Sequence, residues 1–310
     1  MKKKLFVRIA LFIIMLFVLD NVVGMTSAYL IKNAKSGATE KIEHICNKSN
    51  EDVLIFGSSR GCQHYDPRIL RDSLNMSVYN CAYDGCGSIL LYGLLEILTD
   101  HYTPKCIIYD VQPSFDYLID GQENSRFLGN LKPYYESEGI DSIFWSIDPN
   151  ERWKMLSHMY RMNGKIIQVV SEFFMKRNET IMGYDPRDRK MQVEPKVNKS
   201  TDVAPFDETK KYYFERIISL CHEKGIKLIF YASPSYKKTT DNEFMFIKNL
   251  SDKHGIPFFN HLCDSNFTNN RDWFYDSVHM NVDGATVYSQ VVAKELSEIK
   301  KSIMDKASPF

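Results

Sequence analysis

The chain has 310 residues, 44% hydrophobic and 25% charged, with 39 Lys and Arg against 39 Asp and Glu. That is ordinary globular composition, enough for one large domain with a sizeable core or for two domains. Zero formal net charge leaves no electrostatic footprint for nucleic acid, which is excluded as a partner.

Lys2, Lys3, Lys4 and Arg8 precede an unbroken apolar run from Ile9 to Leu19, and Val22 to Met25 continue it after Asp20. From Leu5 to Met25 the segment is long enough to cross a bilayer with Arg8 and Asp20 near the two interfaces, and no A-x-A-like cleavage site follows. An uncleaved signal anchor over 1–28 is the favoured reading, ahead of a cleaved signal peptide with secretion and a buried helix. In both export readings the basic end stays in the cytoplasm and the C-terminal domain is extracytoplasmic; in the anchor reading the membrane is a partner through the N-terminal helix. Residues 29–50 read as a polar, basic stalk or short helix leading off the membrane.

The body, 51–310, alternates. Val53-Leu-Ile-Phe-Gly-Ser-Ser-Arg60 is a buried strand running into a tight turn. A short helix follows around 66–73, a second strand at 76–81, a turn at 83–87 and a leucine-rich helix at 88–99. A third strand spans 105–111. A helix from 206 or 207 ends at Gly225, a fourth strand covers 227–232 and stops at Ser-Pro-Ser, and 243–253 is helical. A short fifth strand spans 256–260, and the last helix 283–304. Strands alternating with helices predict an α/β fold with a mainly parallel five-stranded sheet, three-layer and flavodoxin-like. Residues 118–205 break the pattern and read as an insertion after the third strand, with helical patches at 150–162 and 164–176. It lies on the edge that carries the serines, where such insertions serve as lids or binding surfaces.

The seven cysteines show no CxxC and no zinc-like spacing, and no metal or organic cofactor is implied. Most read as small buried hydrophobes, although export would permit a Cys81–Cys86 bridge.

A serine just past a strand's carboxyl end sits where open α/β sheets place their chemistry. It needs a base to take its proton, and the base needs an orienting carboxylate. Asp276-Ser-Val-His279, in a loop before the last helix, supplies both types three residues apart. Each residue also has a plainer use: a helix cap for Ser59, a packed helix start for His279, an N-cap for Asp276 and a turn for Gly85.

Gly57-Ser-Ser-Arg60 resembles the first block of the SGNH (GDSL-like) hydrolase superfamily, in the variant of membrane-anchored, extracytoplasmic members. Asn80-Cys-Ala-Tyr-Asp-Gly85 resembles its second block, and Asp276-x-x-His279 with Asn281 and Gly284 its last. The resemblance covers about 51–111 and 206–300. It implies Ser59 as nucleophile, His279 as base, Asp276 as orienter, and the N–H groups of Ser59 and Gly85 as the oxyanion hole. The third block departs: where the family carries Gly-x-Asn-Asp, this chain has Asp110-Val-Gln-Pro-Ser-Phe-Asp116. Gln112 and Asn80 are secondary oxyanion candidates, and Arg60 and His64 secondary substrate-binding candidates, with a surface helix start as their alternative. Phe115, Tyr117, Tyr134, Tyr135, Trp145, Trp153 and Tyr160 form either a sugar-stacking platform or the core of the insertion.

The implied activity is acyl-ester hydrolysis or O-acyl transfer on a cell-surface or extracellular glycan, or on a small ester. The alternative is a catalytically impaired glycan-binding or assembly protein on the same scaffold. A nucleotide or flavin binder fits the sheet, but the chain has no G-x-G-x-x-G.

Overall fold

Five apolar runs build one sheet in the computed structural model, which describes residues 2–175, 180–195 and 202–304. They are β1 (Val53–Gly57), β2 (Val78–Asn80), β3 (Cys106–Asp110), β4 (Lys227–Ala232) and β5 (Phe258–Asn260). The order is β2-β1-β3-β4-β5, and every neighbouring pair is parallel. This is the flavodoxin-like order, with β1 and β3 at the point where the chain reverses direction across the sheet. β5 is shorter than its apolar run because Pro257 has no N–H to give the ladder.

The helices are α1 (Lys2–Lys32), α2 (Gly37–Asn47), α3 (Ser59–His64), α4 (Pro67–Leu74), α5 (Ser88–Thr99) and α6 (Pro113–Asp116). The insertion adds α7 (Ile140–Ile147), α8 (Glu151–Lys154), α9 (His158–Met162) and α10 (Ile166–Phe174). The remainder are α11 (Glu208–Glu223), α12 (Met245–His254), α13 (Ser265–Thr268), α14 (Val282–Glu298) and α15 (Lys300–Met304), so the predicted last helix is interrupted at Ile299. Position 176, which ends one predicted helical patch, lies outside the described residues, as do 177–179 and 196–201 of the insertion and 305–310 of the domain.

Alternate strand residues point to opposite faces. Val53, Ile55, Ile108 and Ile229 pack with Leu70 and Leu74 of α4 and Val292 and Leu296 of α14. Leu54, Phe56, Ile107 and Phe230 pack with α2, α5, α11 and α12. The result is three layers with the sheet in the middle.

α1 is long and apolar enough to cross a membrane, and none of its most apolar stretch is buried. Of the two readings of 29–50, the short helix is the one observed, and it is packed on the domain. α2 is a docked helix whose Ile42, Ile45 and Cys46 are buried in the main core. Its charges are satisfied internally: Lys41 Nζ donates to the carbonyls of Gly183, at 2.8 Å, and Ala82. Glu172 accepts from Ala38 and Thr39 at the helix start. A lysine and a glutamate that satisfy backbone groups look, in sequence, like solvated ones.

One part of the insertion is a side layer over α5, and its two ends, at 118–119 and 202–204, line a cavity with Arg60 and Gln112. α5 is buried almost all round, and such a helix needs cover on its outer face as well as on the sheet. Leu131, Ile140, Ile143 and Phe144 provide it. Tyr117 is fully buried, and Phe115, Tyr134, Tyr135, Trp145 and Tyr160 pack on the core, so these aromatics are not a free sugar platform. Trp153 alone of that group is largely exposed. All seven cysteines are free, including Cys81 and Cys86, and burial raises the thiols of both.

If α2 is part of the core, Ile45→Ala should cost about 2–5 kcal/mol in urea unfolding, the range for truncating a buried isoleucine. A free stalk would give a change within about 0.5 kcal/mol.

Candidate active site

β1 ends at Gly57, whose φ of +145° disfavours any side chain and whose added Cβ would stand 2.7 Å from the Asp110 carbonyl oxygen. That close approach turns the chain sharply from strand into α3. Ser58 occupies the cap position with its hydroxyl buried and unpartnered, and Ser59 is the first residue of α3.

The second half comes from the far end of the chain. Asp276 Oδ1 accepts from the N–H groups of Val278 (2.8 Å) and His279 (2.9 Å), which folds Asp-Ser-Val-His into a closed turn. Tyr275 N–H donates to the His279 carbonyl at 2.8 Å. Asn281 then caps α14, accepting from Gly284 N–H at 3.0 Å and donating to the Asp272 carbonyl at 2.7 Å. Gly284 is needed because a Cβ there would meet the Trp273 carbonyl oxygen at 2.2 Å.

These two segments, 220 positions apart, meet: His279 Nε2 lies 2.7 Å from Ser59 Oγ. His279 Nδ1 lies 2.9 Å from Asp276 Oδ2. Because an ionised carboxylate only accepts, the proton sits on Nδ1 and leaves Nε2 as acceptor for the serine hydroxyl. Burial opposes ionisation of Asp276. The hydrogen bonds from the His279 ring and from the two turn N–H groups outweigh it and bring the carboxyl down to about 2. Geometrically the trio can draw a proton from a hydroxyl and return it to a leaving group.

The sequence candidates around it divide. The turn carrying Gly85 is tied to β1 by Tyr83 N–H on the Gly57 carbonyl (3.1 Å). Gly85 has φ +68° and open space around it. Gln112 lines a cavity of about 330 Å³ together with Arg60, Val278, Leu118, Ile119 and Leu262. Its side-chain oxygen is buried and unpartnered.

Asn80 is corrected as an oxyanion donor: it is fully buried, its amide donates to the carbonyls of Gly61 (2.9 Å) and Tyr65 (3.1 Å), and its oxygen accepts from Ala82 N–H. His64 is corrected as a substrate group. It is wholly buried, and its Nε2 accepts from Met280 N–H at 2.9 Å, bracing the histidine turn from behind. Burial, then the Arg60 charge and the His279 ring, hold it well below the ordinary imidazole range. Arg60 lines the cavity, but its guanidinium is committed to the carbonyls of Val111 (2.8 Å) and Ser233 (3.3 Å). It is neither the exposed helix start nor a free anion-binding group.

Three supports went unseen in the sequence. Asp110 is a fully buried carboxylate that accepts from Tyr65 Oη (2.9 Å) and from Ser233 through both N–H (2.9 Å) and Oγ (3.0 Å). Burial raises it, against the pull of Arg60, Ser233 and Tyr65. Ser235 Oγ and Tyr236 N–H both donate to the Ser277 carbonyl and hold the histidine turn in place. The available signals were a charge inside an apolar strand and Ser-Pro-Ser directly after β4.

Larger hollows of about 550 and 800 Å³ lie between α11 and α12 and along the insertion; none of the three cavities is lined by Ser59, His279 or Asp276 themselves, and the 330 Å³ one adjoins them through their chain neighbours Arg60 and Val278. Among the described residues no group of three or more His, Cys, Asp or Glu could hold a metal ion. No family model and no curated protein matches the sequence.

The depressed carboxyl of Asp276 sets a sign for acid behaviour. Its stabilising contribution is fully present above the ordinary value of 3.8 and is lost as pH falls towards about 2. The melting-temperature advantage of wild type over Asp276→Asn should therefore be constant above about pH 5 and shrink between about pH 4 and 2.

Proposed function

We propose that this chain is a membrane-anchored, extracytoplasmic serine acyl-ester hydrolase or O-acyltransferase of SGNH type, acting on a cell-surface or extracellular glycan. The observation that carries it is the continuous Ser59–His279–Asp276 contact, at 2.7 and 2.9 Å, assembled from opposite ends of the chain. The parallel sheet with Ser59 beside its β1/β3 reversal supports the type, as do the three sequence blocks in order.

In this reading Ser59 Oγ attacks the ester carbonyl while His279 Nε2 takes its proton. The C–O bond to the leaving alcohol then breaks, and His279 returns the proton to that oxygen. The developing oxyanion faces the N–H groups of Ser59 and Gly85, each worth roughly 3–4 kcal/mol in such a hole. Water, or a sugar hydroxyl, next attacks the acyl carbon and gives its proton to His279; the bond from that carbon to Ser59 Oγ breaks, and His279 returns the proton to Ser59 Oγ. The cavity of about 330 Å³ next to Arg60 and Val278, with apolar Leu118, Ile119 and Leu262, has room for a short acyl chain or one sugar ring. The α1 helix anchors the protein, and Lys2, Lys3, Lys4 and Arg8 keep its start on the cytoplasmic side.

The departure after β3 favours one competing reading. Gln112, longer and at a shifted position, is the nearest substitute for the family's asparagine donor, and this altered third block is the feature that favours a catalytically impaired glycan-binding or assembly protein.

A fluorophosphonate probe separates the two. Wild type and Ser58→Ala should label and Ser59→Ala should not. Turnover of a chromogenic acetyl ester should fall by roughly 10⁴-fold or more in His279→Ala, as in other serine enzymes that lose the base. Folded wild type that resists the probe would favour the binding protein.

A further inference from the structure

The apolar N-terminal helix carries one acidic residue, and the structure shows what it does. Asp20 Oδ1 accepts from Ser157 Oγ (2.6 Å) and Met159 N–H (2.9 Å). Its Oδ2 accepts from His158 N–H (2.9 Å) and lies 3.0 Å from His158 Nδ1. One turn further on, Gly24 leaves room for the His158 ring, which an added Cβ would approach to 2.6 Å. Beyond that, Leu30 and Ile31 pack on Met162 and Val169, and the rings of Tyr29 and Phe173 lie 6.0 Å apart. α1 is thus one unbroken rod whose last three turns are fastened to α9 and α10 of the insertion.

Helix length then sets a depth. A hydrocarbon core of about 30 Å takes roughly 20 helical residues. Counted from Lys4, that stretch ends near Gly24; counted from Arg8, it ends near Ala28. By either count Asp20 falls inside the apolar slab, and the segment hydrogen-bonded to it is held at the same level. An acidic side chain at that depth needs partners, and the four contacts from 157–159 supply them. The same segment is bare on its outside: Trp153 is 70%, Leu156 68% and Met159 48% exposed.

We propose that the α8–α9 turn of the insertion is seated in the leaflet from which the α/β domain emerges, with Trp153, Leu156 and Met159 against lipid. The occupant of this apolar surface is the bilayer itself, because the surface is continuous with the helix that crosses it. A tryptophan at the boundary between apolar core and headgroups suits that position, with its ring in the apolar zone and its N–H towards water. The proposal rests on α1 being a membrane span and is independent of the acyl chemistry.

The test uses full-length protein in liposomes of phosphatidylcholine, unmodified or brominated on the acyl chains. Flotation first establishes that the protein is in the bilayer. Tryptophan emission should then fall in brominated liposomes, by up to about a third for one of three tryptophans, and Trp153→Phe should abolish that loss. Trp153 is a surface residue, so this variant tests contact and not folding. Protein that floats without loss of emission, or with equal loss in Trp153→Phe, overturns the seating of the turn and leaves the span intact. Protein that does not float overturns the span and the seating together.

Discussion

A single buried carboxylate sets the upper edge of the sheet. Asp110 ends β3, the Arg60 guanidinium beside it follows β1, and Ser233 follows β4, so one cluster binds the ends of three strands. Gly57 rests on the Asp110 backbone, and the direction in which α3 leaves β1 follows from that contact. Tyr65 at the end of α3 returns to the same carboxylate, and its hydroxyl stands 3.5 Å from that of Tyr288 on α14. The helix that carries Ser59 and the helix that follows His279 are therefore referenced to one point. Buried charge of this kind adds little net stability, but breaking it leaves an uncompensated ion at a cost of about 3–5 kcal/mol. Its value here is registration: a reach of 2.7 Å between distant segments survives only if both backbones are fixed.

The α/β alternation was legible because the central strands are buried on both faces and read as unbroken apolar runs. β4 and α5 appear with the bounds their periodicity implies. The Ser59–His279–Asp276 cluster was legible because the few residue types that activate a hydroxyl occur at strand and helix boundaries. What was not legible has a common physical form. Asn80, His64, Arg60 and Lys41 are polar residues spent on backbone carbonyls or N–H groups inside the protein. A sequence shows their chemistry but not its direction, and inward is the less usual choice for such side chains. In the insertion the expected helical patches at 150–162 and 164–176 correspond to α8, α9 and α10, within the described residues. What the sequence did not show is where they dock: α7 covers α5, while α9 and α10 pack on α1 and α10 also on α2.

The rigid junction between α1 and the domain bears on how such a protein would meet its substrate. A catalytic head on a loose tether sweeps a hemisphere and samples ligands at many heights. If α1 spans a bilayer and the proposed activity holds, a head bolted through Asp20, Gly24 and Tyr29 would keep one altitude and one tilt, and its mouth would see a thin shell of space parallel to the lipid surface. Selectivity would then belong partly to geography: a glycan whose acceptor or acyl group passes through that shell would be met often, and an identical group on a longer chain would swing by untouched.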